Sequence, residues 1–118
     1  MTASAEIAEF IDTFDLLGDW DQRYQYLIEL GERMPDMAPS DKREENLVKQ
    51  CMSTVHIAIH ADPENADRLL YAGDCDTSII KGVVALLVDL FSGKTPREIA
   101  ALDVDALFAG LHLEEHLS

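Results

Sequence analysis

The sequence predicts an α+β domain in which one small antiparallel sheet packs against helices. Apolar residues recur at helical spacing in the first and last thirds of the chain, and a period-two segment followed by a turn lies between them. A length of 118 residues is enough for one hydrophobic core. We therefore expect a single domain over residues 1–118, with its elements in the order helices, hairpin, helices.

Two amphipathic helices are predicted at the start of the chain. The apolar stripe of the first repeats at intervals of three and four residues: Ile7, Phe10, Ile11, Phe14 and Leu17. Gly18 ends this helix and Asp19 caps the next one. The second stripe contains Trp20, Tyr24, Leu27 and Ile28. Met34 and Pro35 close the second helix before a loop over residues 36–42.

A β-hairpin is predicted in the middle of the chain. Residues 53–60 alternate with period two, which predicts a strand with one buried face. The face expected to be buried carries Val55, Ile57 and Ile59, and the other carries Thr54, His56, Ala58 and His60. Residues 62–65 have turn chemistry, and residues 68–73 return as the second strand. This pairing brings Cys51 and Cys75 to the same open end of the hairpin.

Three helices are predicted after the hairpin. Asp76 or Thr77 caps a helix that runs through Phe91, and its apolar residues nearly surround it, as expected of a central core helix. Gly93 ends this helix. Residues 95–98, Thr-Pro-Arg-Glu, form a capping box with proline at the first helical position. A last short helix follows from Asp103.

Charge and composition exclude several classes of function. The chain carries 23 acidic and 9 basic residues, a net charge of −14, so it repels nucleic acids and anionic membranes. The longest apolar stretch, residues 82–88, is too short to span a bilayer. The N-terminal residues have neither signal-peptide nor transit-peptide features. Two cysteines in such a chain suggest a reducing compartment, and we expect the cytoplasm.

Cys51 is the candidate reactive residue. It lies between a turn-prone polar stretch and the predicted strand, and Lys49 two residues earlier favours its thiolate. Lys42 and Arg43 add positive charge, although Glu44 and Glu45 partly cancel it. From these residues alone, a reactive thiol and a small buried apolar residue remain equally good interpretations.

Cys75 is interpreted as structural. It lies between Asp74 and Asp76, whose negative charges oppose ionisation of its thiol. A metal site built from the cysteines and histidines is disfavoured. His112 and His116 have helical spacing, but two histidines four residues apart on a strand, His56 and His60, are too far apart to share one ion.

The chain resembles the SufE family, whose members accept sulfur from cysteine desulfurases in iron–sulfur cluster assembly. The blocks that carry the resemblance lie at residues 20–31, 45–53, 73–76, 92–96 and 111–118. The second reads Glu-Asn-Leu-Val-Lys-Gln-Cys-Met-Ser and places Cys51 where the family has its reactive cysteine. The blocks follow the family's order over nearly the whole chain.

The resemblance implies that Cys51 takes a sulfane sulfur from the persulfide of a desulfurase, stimulates that desulfurase and passes sulfur to an iron–sulfur scaffold complex. It implies supporting roles, toward the partner or the cysteine loop, for five residues: Asn46, Lys49, Gln50, Ser53 and Asp74. The chain is then a persulfide carrier and not a stand-alone enzyme, and a monomer or weak dimer. Pyridoxal phosphate belongs to the desulfurase, so we expect no cofactor and no metal here.

The sequence departs from the family pattern at four places. Gln50 replaces the glycine usual before the cysteine, His56 stands where tryptophan is common, and Cys75 replaces serine or alanine. The chain also stops at Ser118, where the family usually continues with a closing helix. A cavity shielding Cys51, lined by Met52, Val55 and the core helix, is a hypothesis.

Three other functions remain open. Related acceptors serve a parallel desulfurase system with similar motifs. A thiol redox protein would use Cys51 directly, although the chain lacks a Cys-x-x-Cys pair. A plain interaction module would dock a partner through its acidic surface without any reaction at the thiol.

Overall fold

The computed structural model describes residues 3–49 and 53–113, and it confirms the predicted α+β architecture. The helices in this part of the chain are α1 (Ala3–Leu17), α2 (Trp20–Arg33), α3 (Ser78–Phe91), α4 (Pro96–Ala100) and α5 (Val104–Leu111). The strands are β1 (Val55–Ala61) and β2 (Leu69–Cys75), which pair antiparallel. Two short 3₁₀ helices, Pro39–Asp41 and Glu44–Asn46, lie in the connection between α2 and β1 and were not predicted.

The predicted helix boundaries are confirmed by their local chemistry. Gly18 and Gly93 both have a φ of 81°, a left-handed conformation that glycine adopts without steric cost. The carboxylate of Asp19 accepts a hydrogen bond from the N–H of Gln22 at 2.9 Å and caps α2. Both halves of the capping box between Thr95 and Glu98 are formed at the start of α4.

The central helix α3 packs closely against α2. Gly31 of α2 and Gly82 of α3 lie at the crossing, where a Cβ added to Gly82 would be only 2.0 Å from the carbonyl oxygen of Leu27. The two backbones can approach this closely only because neither glycine has a side chain. The larger apolar core fills the space around α1, α2, α3 and α5. Its most deeply buried side chains are Phe14, Leu27, Leu86, Leu90, Leu107, Leu111 and Leu113.

One detail of the predicted hairpin is wrong. Val55 is buried as expected, but Ile59 is 53% exposed, whereas Ala58, assigned to the other face, is only 1% exposed. The reason is tertiary: the segment with the 3₁₀ helices contacts β1, and the side chain of Asp41 bonds His60 on the face that carries Ala58. Both faces of β1 are therefore partly covered, and neither is covered along its whole length.

None of the helices in the described part of the chain is long and apolar enough to cross a membrane.

Candidate functional site

The open end of the hairpin is where the structure places the flanks of the predicted reactive cysteine. Cys51 itself, with Gln50 and Met52, lies outside the described residues. Val55 pairs with Cys75 in the register of the sheet, so the strand that leads away from Cys51 begins beside Cys75. The contacts that define the site are therefore those of residues up to 49 and of residues from 53 onward.

The segment before the cysteine is attached to β1. Leu47 forms an antiparallel bridge with His56, and the N–H of Val48 donates to the carbonyl of Val55 at 2.8 Å. The chain therefore approaches the cysteine alongside the strand by which it leaves. Both flanks are fixed to one another within a few residues of Cys51.

Asn46, one of the predicted support residues, stabilises this approach. Its side-chain amide donates to the carbonyl oxygen of Asp41 at 2.8 Å. The carboxylate of Asp41 in turn lies 3.0 Å from Nε2 of His60 on β1. Together the two contacts connect the 3₁₀ segment to the strand, so Asn46 acts on the course of the backbone before Cys51.

The segment after the cysteine is attached to the start of α3. Ser53 Oγ and Thr77 Oγ1 are 2.8 Å apart and hydrogen-bonded. The N–H of Thr54 donates to the Asp76 carboxylate at 3.0 Å, and the N–H of Asp76 donates to the Thr54 carbonyl at 3.2 Å. Thr77 is the N-cap residue of α3, but its side chain makes no capping bond to the helix. The prediction that Asp76 or Thr77 occupies the N-cap is confirmed for Thr77, but the expected capping bond does not form, because the two side chains bond the cysteine's flank instead.

Asp74 is the centre of a small charged cluster. Its carboxylate lies 3.1 Å from Nζ of Lys42 and 3.6 Å from Nζ of Lys81. Burial acts to raise the pKa of Asp74, but the hydrogen bond and charge of Lys42, the N–H of Cys75 and the charge of Lys81 outweigh it and hold the pKa below its usual value. Asp74 therefore stays ionised and joins the loop after α2, strand β2 and helix α3.

The other cations expected to activate Cys51 are paired with acids. Nζ of Lys49 lies 3.8 Å from a carboxylate oxygen of Glu44, and Nε of Arg43 lies 3.5 Å from one of Glu45. These side chains are largely exposed, so the pairs are weak and screened by salt. The net positive field at the cysteine is smaller than a count of nearby lysines and arginines indicates.

Cys75 is 6% exposed and lies in a small apolar cluster beneath the open end of the hairpin. The other buried members of this cluster are Met34, Val55, Val84 and Ala85, and Val48 packs against it. The backbone N–H of Thr77 donates to the Cys75 sulfur at 3.5 Å. This setting agrees with the structural interpretation of Cys75.

Four of the five predicted support residues, Asn46, Lys49, Ser53 and Asp74, lie in the described part of the chain, on or beside the two flanks of residues 50–52. Their roles toward a partner or the cysteine loop stay predictions. The contact of Ser53 with Thr77 and that of Asp74 with Lys81 were not predicted. The observed register of the sheet accounts for the first contact, because a pair between positions 55 and 75 extends to 54 with 76 and brings 53 toward 77.

The geometry for a metal site is not present in the described residues. No group of three or more histidine, cysteine, aspartate or glutamate side chains there is arranged to hold an ion. His112 does not lie within a helix, because it is the C-cap of α5 and has a left-handed φ of 56°. His116 lies outside the described residues, so its predicted place on one helix face with His112 is untested.

Comparison with known proteins identifies the family. The family model described as "SufE: Fe-S metabolism associated domain" matches residues 8–118. A protein of Rhizobium etli described as an uncharacterized SufE-like protein is 41% identical over 116 residues, which are 97% of this chain and 78% of the relative. A second uncharacterized SufE-like protein, from Rhizobium meliloti, is 40% identical over 111 residues, 93% of this chain and 79% of the relative. The chain belongs to the SufE family, whose domain is associated with iron–sulfur metabolism.

Proposed function

We propose that the protein is a cytoplasmic sulfur acceptor and carrier that takes sulfur from a cysteine desulfurase onto Cys51 and delivers it for iron–sulfur cluster assembly. The observation that carries the proposal is the SufE match over residues 8–118, which includes Cys51 and both of its flanks. In this role the protein stimulates the desulfurase and hands its sulfur to a scaffold complex. It acts as a partner and not as a stand-alone enzyme, and it needs no cofactor of its own.

The transfer is a nucleophilic substitution at sulfur. The Cys51 thiolate attacks the outer sulfur of the donor's cysteine persulfide, a new S–S bond forms, and the original S–S bond breaks. The donor cysteine leaves as a thiolate, so Cys51 carries the persulfide and no external oxidant or reductant is consumed. Delivery to the scaffold repeats the same step with Cys51 as the donor.

The contacts around the flanks support a defined place for this chemistry. The approaching chain is bonded to β1 at Leu47 and Val48, and the leaving chain is bonded to the start of α3 at Ser53 and Thr54. The residues on both sides of Cys51 are thereby attached to the folded domain. This attachment supports a role for the segment between them as the place where a partner meets the protein.

The direct test is mass spectrometry of the protein after incubation with a cysteine desulfurase and cysteine. We expect sulfur to add at Cys51, the addition to be lost in Cys51→Ser and to persist in Cys75→Ser. Cys75→Ser is the matched control, because it makes the same replacement of sulfur by oxygen at the other cysteine. Sulfur mainly on Cys75, or none on either residue, contradicts the proposal.

Two further measurements separate the alternatives. The desulfurase rate should rise when the wild-type chain is added and not when Cys51→Ser is added, which a plain interaction module would not show. Peroxide consumption at Cys51 without sulfur loading would instead assign a thiol redox function. Loading by a desulfurase of a parallel sulfur-transfer system, but not by one of cluster assembly, would reassign the partner.

A further inference from the structure

An apolar groove lies along the outer edge of β2, on the side of this strand away from β1. It has a volume of about 470 Å³ and runs between the end of α2 and β2, over α3. Leu30 of α2 and its C-cap residue Met34 line one side, Ala85 and Val88 line it from α3, and Tyr71 and Gly73 from β2. Its volume is in the range of sites that bind ligands or peptide side chains.

At every second residue of β2, the backbone N–H and C=O point away from β1 toward the outer edge of the sheet. The N–H of Leu69 donates to the carbonyl of Lys94, and the N–H of Tyr71 donates to Ser92 Oγ at 3.0 Å. Both bonds lead away from β1. Because backbone groups alternate along an antiparallel strand, the N–H and C=O of Gly73 face the same outer side.

Gly73 is the place where this edge is open. Leu69 and Tyr71 have partners on the outer side, but no described residue bonds the N–H or C=O of Gly73. Gly73 is nevertheless buried, because α3 packs so closely that an added Cβ would lie 2.5 Å from Cγ1 of Val84. Buried backbone donors and acceptors are nearly always paired, and an open strand edge is a template for another strand.

The charges around the groove favour a basic occupant. Asp36 and Asp89 line it, are exposed, and have no cation within ion-pair distance among the described residues. Arg33 also lines it, which leaves the groove with more negative than positive groups. The whole chain has a net charge of −14, which adds a long-range attraction for cations.

We infer that this groove binds a short extended segment of a partner protein, which adds to the sheet as a third strand beside Gly73. Its backbone pairs with Gly73, its apolar side chains enter the groove over Ala85 and Val88, and a lysine or arginine lies near Asp36 and Asp89. This mode of recognition takes its affinity from main-chain hydrogen bonds and its specificity from alternate side chains. The inference is independent of whether Cys51 carries sulfur.

The probe is a fluorescein-labelled hexapeptide of alternating valine and lysine, with blocked termini, measured by fluorescence anisotropy. Two derivatives carry N-methyl groups on alternate amides, one on the valines and the other on the lysines. In an extended peptide, the amides of only one residue type, valine or lysine, can face β2. We therefore expect one derivative to bind about tenfold more weakly and the other to bind like the parent. Equal binding of both derivatives, or no saturable binding of the parent peptide, overturns the inference.

Protein variants test the location. Asp36→Asn combined with Asp89→Asn should weaken peptide binding about fivefold. Asp12→Asn combined with Asp15→Asn is the matched control, since it removes the same charge from exposed positions on α1 and should leave binding unchanged. Equal weakening by both pairs would show binding to net charge alone and overturn the inference.

Hydrogen exchange of the Gly73 amide supplies a readout that does not depend on any substitution. Saturating peptide should slow this exchange about tenfold, because the amide gains an acceptor. Unchanged exchange contradicts strand addition. If exchange of the Gly73 amide slows without peptide as the protein concentration rises, a second copy of the chain occupies the groove. That result would likewise overturn the assignment.

Discussion

The helical core and the open end of the hairpin are held together in different ways. The core around α1, α2, α3 and α5 consists of large side chains such as Phe14, Leu27 and Leu86, which are almost fully buried. The cluster beneath the hairpin's open end has smaller members, including Val55, Cys75 and Ala85. Its remaining connections are hydrogen bonds and ion pairs, several of them exposed.

This difference shows where the protein can change shape at low cost. Removing a large buried side chain loses both its transfer free energy and the packing of its neighbours. Breaking an exposed hydrogen bond or ion pair costs far less, because water replaces the lost partner. The open end of the hairpin can therefore rearrange at a lower cost in free energy than the helical core.

The largest effect is expected where the helical core is tightest. Gly82→Ala places a Cβ at 2.0 Å from the Leu27 carbonyl oxygen, so α2 and α3 must separate. We expect the free energy of unfolding to fall by about 4 kcal/mol, measured by urea denaturation. Gly18→Ala is the control: its φ of 81° makes it unfavourable, but nothing lies within 4 Å, so it should cost about 1 kcal/mol. Equal losses would show that the close helix contact is unimportant.

Leu86→Ala compares the two clusters directly. Leu86 is 1% exposed, and its truncation should lower the free energy of unfolding by about 3 kcal/mol. Cys75→Ala, in the smaller cluster, should cost about 1 kcal/mol, because it removes a single sulfur atom. Leu16→Ala, at a position that is 87% exposed, should change stability by less than about 0.5 kcal/mol. A larger loss from Cys75→Ala than from Leu86→Ala would reverse the comparison.

Asp74→Asn tests the ion pairs at the hairpin's open end. It should lower the free energy of unfolding at neutral pH by about 1 kcal/mol. The pKa of Asp74 is depressed in the folded state, so its contribution is fully present above the unfolded value of about 4 and is lost as the pH falls through the folded value.

The wild-type protein and Asp74→Asn should therefore converge in stability below about pH 4. The measurement is thermal unfolding as a function of pH, with Asp12→Asn as a control for the loss of one exposed negative charge. A constant difference between wild type and Asp74→Asn down to strongly acidic pH would contradict the role of the Asp74 carboxylate.

The smallest effect is expected for the contact that anchors the segment after Cys51. Ser53→Ala and Thr77→Val each remove one hydroxyl of the 2.8 Å hydrogen bond. Each should change the free energy of unfolding by about 0.5 kcal/mol, and the double variant should show a coupling of similar size in a double-mutant cycle. Strict additivity would mean that the bond contributes nothing to the anchor.

Much of this fold follows from local sequence. The caps at Asp19, Thr95 and Asp103 and the glycines at 18 and 93 fix the ends of helices through hydrogen bonds and backbone conformations that involve only neighbouring residues. The helical and period-two patterns then give the type and order of the elements. The blocks that resemble the SufE family, including the one with Cys51, are also recognised from the sequence without coordinates.

Contacts between distant residues were decided only by the tertiary structure. Sequence could not assign Thr77 to Ser53 or Lys81 to Asp74, because these pairs depend on how α3 packs against the hairpin. It also gave the wrong exposure for Ile59 and Ala58, since the 3₁₀ segment covers one face of β1. The open edge at Gly73 likewise exists only in the folded chain, where the register of β2 directs its backbone outward while α3 packs closely beneath it.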